Sequence, residues 1–162
     1  MNDNKINIIK LKSNNWRNYK KIRLETLNLE APAFNSKYED CLKYPDNYWE
    51  NKLRDKNEIH LFAKYDKKII GTINATFNEE NEKENVAVIH GTYVNSFHRR
   101  RGIGKQLIEN LLKEINKNNK IKKIKLWVKE TQIPARHIYE LMGFLISGRA
   151  GEHTLIMEKN IN

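Results

Sequence analysis

The chain has 162 residues, 39% of them hydrophobic and 31% charged, and carries a net charge of +10. That length suits one compact domain, residues 1–162, with its own core. No apolar run approaches the roughly 20 residues that span a bilayer, the opening "MNDNKINIIKLK" has no secretory apolar region, and Cys41 has no second cysteine to pair with. Together these point to a cytoplasmic protein in a reducing compartment, away from the membrane.

The elements follow in chain order. Residues Ile6–Lys12 alternate apolar and polar side chains, as a half-buried strand does. A helix is predicted from Ser13 or Asn14, either of which can cap it, with Trp16, Tyr19, Ile22 and Leu27 on its apolar face. A connection through Ala31–Tyr44 leads to a second helix after Pro45-Asp46, with Tyr48, Trp49 and Leu53 inward. Residues Ile59–Tyr65 and Lys68–Phe77 read as a strand hairpin closed by a tight turn at "DKK". The polar stretch Asn78–Ala87 reads as a hairpin loop, and Asn85–Val94 as a central strand, apolar at odd and even positions alike.

The clearest helix follows Gly102: Ile103, Leu107, Ile108, Leu111, Leu112 and Ile115 form one stripe, with Glu109, Lys113 and Lys117 opposite. Residues Ile121–Val128 return as a strand. Thr131–Phe144 is predicted as a short helix capped by Thr131, with Pro134 in its first turn and Gly143 at its end. Two short strands, near Phe144–Ser147 and His153–Glu158, close the chain around "GRAGE". The fold class is α/β, or α+β.

Lysine far outnumbers arginine, and most surface lysines read as solvated charge. The arginines differ, because Arg99, Arg100 and Arg101 are consecutive and run into Gly102-Ile103-Gly104. A helix start exposes N–H groups with no intrahelical partner, and its dipole favours anions. Glycines let the backbone approach a ligand, and guanidinium forks suit phosphate. Arg99–Gly104 therefore reads as a pyrophosphate cradle; the alternative is a basic surface turn. It is neither a Walker loop, lacking Gly-Lys-Ser/Thr, nor a dinucleotide fingerprint, lacking the third glycine.

"YVNSFHRRRGIG" resembles the acetyl-CoA motif of the GNAT superfamily of N-acetyltransferases, Arg/Gln-x-x-Gly-x-Gly/Ala, which Arg99–Gly104 fits. Ser96 stands where proline is frequent and Arg100 where glycine is frequent. Downstream, Gln132, Ala135, Ile138, Tyr139, Gly143 and Phe144 resemble the family's Asn-x-x-Ala-x-x-Leu-Tyr-x-x-x-Gly-Phe, with Gln132 and Ile138 departing from it. "RLETLNLEAPAFNSKYED" is similar to small bacterial members of unassigned substrate. The resemblance covers nearly the whole chain. It implies the GNAT fold: a mixed, mainly antiparallel sheet of about six to seven strands with about four helices, splayed at the centre to admit acyl-CoA. It also implies acetyl-CoA as co-substrate, held by Tyr93, Val94, Arg99, Arg100, Arg101, Gly102, Ile103, Gly104, Lys105, Gln132, Ala135 and Tyr139.

Acetyl transfer from a thioester to an amine needs a neutral amine, a donor for the oxyanion and a proton for the departing thiolate. Tyr139 stands at the family's acid position, one turn beyond Ala135, and a phenol stays protonated at neutrality. The family implies a backbone oxyanion donor near Val94, where its strand bulges and splays. Many relatives use a strand glutamate as base, but none occurs between Val86 and Val94; His90 is the candidate, sharing a face with Val88, Thr92 and Val94, with proton loss to bulk water as the alternative. Cys41 lies in a helix–helix connection and reads as no nucleophile, and no histidine–cysteine cluster has metal spacing.

Direct transfer in a ternary complex follows. The acceptor is expected against the two N-terminal helices, the loops around Ala31–Tyr44 and the C-terminal hairpin, where Phe34, Tyr38, Tyr44, Tyr48 and Trp49 offer aromatic walls. Glu25, Glu30, Glu39, Asp40, Asp46 and Glu50 there could attract a cationic amine or balance nearby lysines. A small amine, an amino acid and a protein N-terminus all fit. Two rivals stand beside this reading: a family member that binds acyl-CoA without catalysis, and a basic nucleic-acid-binding module. The second lacks arginines interleaved with aromatics and any helix-turn-helix or RNA-recognition signature. Homodimers are common in the family.

Overall fold

The computed structural model describes residues 5–33, 36–77, 82 and 85–161. The expected hairpin loop within Asn78–Ala87 lies largely outside them, as does Phe34.

Seven strands form one sheet in the order β1-β2-β3-β4-β5-β7-β6. They are β1 (Asn7–Ile9), β2 (Glu58–Tyr65), β3 (Lys68–Phe77), β4 (Val86–Val94), β5 (Lys123–Lys129), β6 (Leu145–Arg149) and β7 (Thr154–Asn160). Every neighbouring pair is antiparallel except β4 and β5. The helices are α1 (Trp16–Leu29), α2 (Tyr38–Leu42), α3 (Asp46–Arg54), α4 (Ile103–Ile115) and α5 (Ile133–Leu141). The expectation of about four helices is short by α2, a five-residue helix inside the Ala31–Tyr44 connection. It is too brief to show a 3.6-residue period.

Alternation along the strands separates two cores. Leu61 and Ala63 of β2, Ile73 and Ala75 of β3, and Ala87 and Ile89 of β4 face α4 and α5. Against them pack Ile103, Leu107, Ile108, Leu111 and Ile115, the stripe expected of α4, all buried. The opposite face carries Phe62 and Tyr93, covered by Tyr19, Ile22 and Leu27 of α1 and Trp49 of α3. Trp49 and Tyr19 meet edge to face at 5.4 Å, a geometry the ring quadrupoles favour.

The element ends differ from the sequence reading where capping was inferred. Neither Ser13 nor Asn14 caps α1: Ser13–Asn15 forms a 3-10 turn, and Asn15 sits at the cap with no side-chain hydrogen bond. Thr131 does not cap α5 either; Gln132 holds that position, again without a side-chain bond. Gly143 does end α5, at φ +84°.

Candidate active site

Beta-strand pairing sets the site. β4 and β5 pair over four positions only, Val86 with Lys123 through Ile89 with Leu126. Beyond them each strand keeps its other partner: β4 stays on β3 as far as Val94, and β5 stays on β7 as far as Lys129. The strands therefore diverge, opening a cleft of about 580 Å³ between His90–Thr92 on one lip and Trp127–Lys129 on the other. His90 and Trp127 face each other at its root, rings stacked at 6.5 Å.

A bulge bends β4 at that root. Asn74 pairs with His90 and Thr72 with Tyr93, so Gly91 and Thr92 together oppose Ile73. Gly91 has φ +59°, the left-handed conformation of a bulge led by glycine. The bulge lies three residues before Val94, where it was expected. It also inverts the alternation. His90 lines the pocket under α1, while Thr92 turns to the α5 side and Val94 joins the α4 core. His90 therefore does not share a face with Thr92 and Val94, because the extra residue flips every side chain beyond it. The Val94 N–H points away from β3: Asn95 donates to Ile70 O, and hydrogen-bonded positions alternate in an antiparallel ladder.

Tyr139 is buried, and its hydroxyl donates to Thr92 Oγ1 at 2.9 Å across the cleft floor. Burial raises its pKa, against a smaller lowering by the Thr92 bond, so the phenol keeps its proton at neutral pH. Gln132 and Ala135 line the same cleft. Tyr93 turns the other way. Its hydroxyl donates to Glu25, which also accepts from the Asn95 side chain at 2.7 Å, and burial followed by the Glu25 carboxylate raises the phenol's pKa. The Tyr93 ring does not face the turn, and its main chain pairs with Thr72 of β3.

The arginine turn leads out of β4. Arg100 (φ +60°) and Gly102 (φ +73°) are both left-handed, a backbone pattern that gathers N–H groups into an anion-binding concavity. α4 then begins, and its first helical bond runs from Gln106 N to Gly102 O, so the N–H groups of Ile103, Gly104 and Lys105 precede any intrahelical acceptor. The Ile103 side chain is buried in the core. A Cβ on Gly102 would meet nothing within 4 Å, and one on Gly104 only Ile138, at 3.5 Å. The turn is open and fits a diphosphate. The guanidinium groups are partly engaged by the chain itself. Arg99 Nε donates to Val94 O at 2.9 Å, and the same guanidinium pairs with Glu30. Arg101 lies 4.9 Å over the Tyr65 ring and 3.1 Å from His98 Nδ1. Lys105 faces Glu109 at 3.8 Å.

A second pocket, about 420 Å³, lies under α1 and α3 and shares Arg23, Ser36 and His90 with the cleft. Its floor is polar because β2, β3 and β4 bring His60, Asn74 and His90 into line: His60 pairs with Asn74, and Asn74 with His90. Tyr44, Tyr48 and Trp49 wall it. Glu58 accepts hydrogen bonds from Lys52 and from His60 Nε2. Burial alone would raise the Glu58 pKa, but the bonds from His60 and Lys52 outweigh it and hold the carboxyl below its usual value. Cys41 also lines this pocket, its thiol pKa pushed up chiefly by burial, which suits an inert thiol.

Sequence reasoning missed Arg23, Thr92 and the Glu58–His60 pair. The signals were present. Arg23 lies four residues after Tyr19, on the same helical face. Glu58, His60 and Phe62 share one side of β2 by period two.

The family model described as "Acetyltransferase (GNAT) family" matches residues 23–144. The chain belongs to the acetyltransferase (GNAT) family. By that membership it is an acetyl-transferring enzyme. Its fold is similar to that of a GNAT-family acetyltransferase from Streptococcus pneumoniae (19% identity, TM-score 0.83, 97% of this chain and 100% of that one). It is similar to the PaiA N-acetyltransferase of Thermoplasma acidophilum, solved with coenzyme A (22%, 0.76, 97% and 99%). It is also similar to NAA60 of Arabidopsis thaliana, solved with acetyl-CoA (18%, 0.73, 98% and 99%). A comparison with curated protein sequences finds no match. Among the described residues, no helix of this acetyltransferase is long and apolar enough to cross a membrane.

Proposed function

We propose that the chain acts as one N-acetyltransferase domain that moves the acetyl group of acetyl-CoA to an amine by direct attack in a ternary complex. The observation that carries this reading is the phenol of Tyr139 on the floor of a cleft that runs between the diverged strands, bonded to Thr92. The backbone nest at Arg100–Gly102 and the first N–H groups of α4 hold the diphosphate, with Arg99 and Arg101 adding field around it. Gln132 and Ala135 flank the pantetheine arm. Co-substrate complexes of two structural neighbours, one with coenzyme A and one with acetyl-CoA, support the same assignment.

The acceptor nitrogen attacks the thioester carbonyl. A C–N bond forms, the C–S bond breaks, the amine gives up one proton and the thiolate takes one. The Val94 N–H, turned away from β3, is the donor proposed for the oxyanion, and Tyr139 supplies the thiolate proton. His90, at the junction of both pockets, receives the amine proton.

Two measurements test this. Acetyl-CoA at a hundred times its Kd should stabilise the fold by about 2.7 kcal/mol, read as a rise in Tm, and thiol release should follow on adding amines. Absence of any shift removes the cofactor reading. His90→Ala should lower kcat/KM at pH 7 by at least about tenfold and erase the acid limb of its pH profile. An unchanged profile leaves bulk water as the proton acceptor.

A further inference from the structure

Resting on the proposed N-acetyltransferase activity, we infer that the acceptor is a free α-amino acid whose carboxylate is held by Arg23. Arg23 borders both the cleft and the second pocket. Its Nη2 donates to Ser36 Oγ at 3.2 Å. Its Nη1 lies 3.5 Å from where a Cβ on Gly91 would stand, so the guanidinium sits beside the β4 bulge. A planar fork of N–H donors matches a carboxylate in a way an ammonium does not. An α-amino group lies only one carbon from its carboxylate. An acid held at Arg23 therefore presents its nitrogen at Gly91–Thr92, the lip nearest the Tyr139 hydroxyl, while its side chain enters the pocket walled by Tyr44, Tyr48 and Trp49.

The charges point the same way. Among the described lining residues of the second pocket, Arg23 and Lys52 are cationic and Glu58 is the one carboxylate. Glu58 is already shared between Lys52 and His60. Of the six nearby acids, Glu39 and Asp40 of α2 do not line the pocket, and the other four are committed elsewhere. Glu25 accepts from Tyr93 and Asn95, Glu30 pairs with Arg99, Asp46 with Lys20 and Glu50 with Arg54. A polyamine would bring extra positive charge to a pocket whose lining carboxylate, Glu58, is already engaged, and like charges at short range cost affinity.

The test pairs each of the twenty L-amino acids with its carboxamide, adds spermidine, and reads thiol release from acetyl-CoA. At least one free acid should be turned over with kcat/KM about tenfold or more above its amide. Arg23→Gln should raise the KM for that acid about tenfold to a hundredfold, with kcat and the acetyl-CoA KM within about twofold of wild type. Arg23→Lys should recover part of the loss, and unchanged Tm values for both variants separate binding from misfolding. Equal use of acid and amide, preference for spermidine, or equal damage to acid and amide in Arg23→Gln overturns the inference. So does turnover of no free amino acid while acetyl-CoA still raises Tm, and that outcome leaves the cofactor reading standing. Loss of the acetyl-CoA shift itself would instead sink the underlying assignment.

Discussion

Tyr139→Phe lowers kcat by about a hundredfold and leaves the acetyl-CoA-induced rise in Tm intact. The ring is part of the core, meeting Phe144 edge to face at 5.7 Å, and phenylalanine keeps that contact. What disappears is one O–H and its bond to Thr92 at 2.9 Å. Thr92 lies at the cleft edge and retains a hydroxyl that rotates freely, so little stability is at stake. In the proposed mechanism the departing thiolate, by contrast, loses its proton source at the moment charge develops on sulfur. An effect confined to the transition state lowers kcat and kcat/KM together. The measurement is steady-state kinetics beside a cofactor titration of Tm. A wild-type kcat in the variant would remove Tyr139 from the chemistry, and a lost Tm shift would make it a cofactor-binding wall instead.

Gly91→Ala acts on fold and function at once. The left-handed φ of +59° costs an alanine about 1–2 kcal/mol, and its Cβ would land 2.4 Å from Asn74 Oδ1. Asn74 must swing away, and it stands between His60 and His90 in the floor of the second pocket. At about 2–4 °C per kcal/mol for a chain of this size, Tm should fall by about 2–8 °C. The acceptor KM should rise as well, because the bulge sets the direction of His90 and Thr92. Differential scanning calorimetry and acceptor kinetics on the same preparation read both effects. A variant with unaltered Tm would mean that β4 passes Ile73 without strain and that the bulge is not held by its glycine.

How far the sequence carried depended on whether a signal was local. The α4 stripe from Ile103 to Ile115 was legible because thirteen residues sample several turns of one period. The turn at Arg99–Gly104 was legible because charge, glycine and helix start adjoin. The inversion at Gly91–Thr92 was hidden by the composition of β4. Val-Ala-Val-Ile is apolar at both parities, so no alternation existed to break, and an isolated strand glycine was the sole hint. The pairing of Arg99 with Glu30, 69 residues away, is a tertiary fact that no window of sequence contains. The same holds for the Glu25 contacts to Tyr93 and Asn95, which make α1 a brace for β4 as well as a wall of the second pocket. The caps failed for a different reason. Ser13, Asn14 and Thr131 are good cap formers, but a 3-10 turn and a loop took those positions first.

The short seam between β4 and β5 has one more implication. Four strands lie on one side of it and three on the other, and the slot arises because two slabs of sheet part company, not because side chains have been whittled out of the interior. Ile89 and Leu126, the last pair of the seam, close the root of the wedge. Exposed rim residues such as Trp127, unlike the left-handed Gly91, can change in size and polarity at little expense to folding, so the slot's lining can vary while the two slabs stay put.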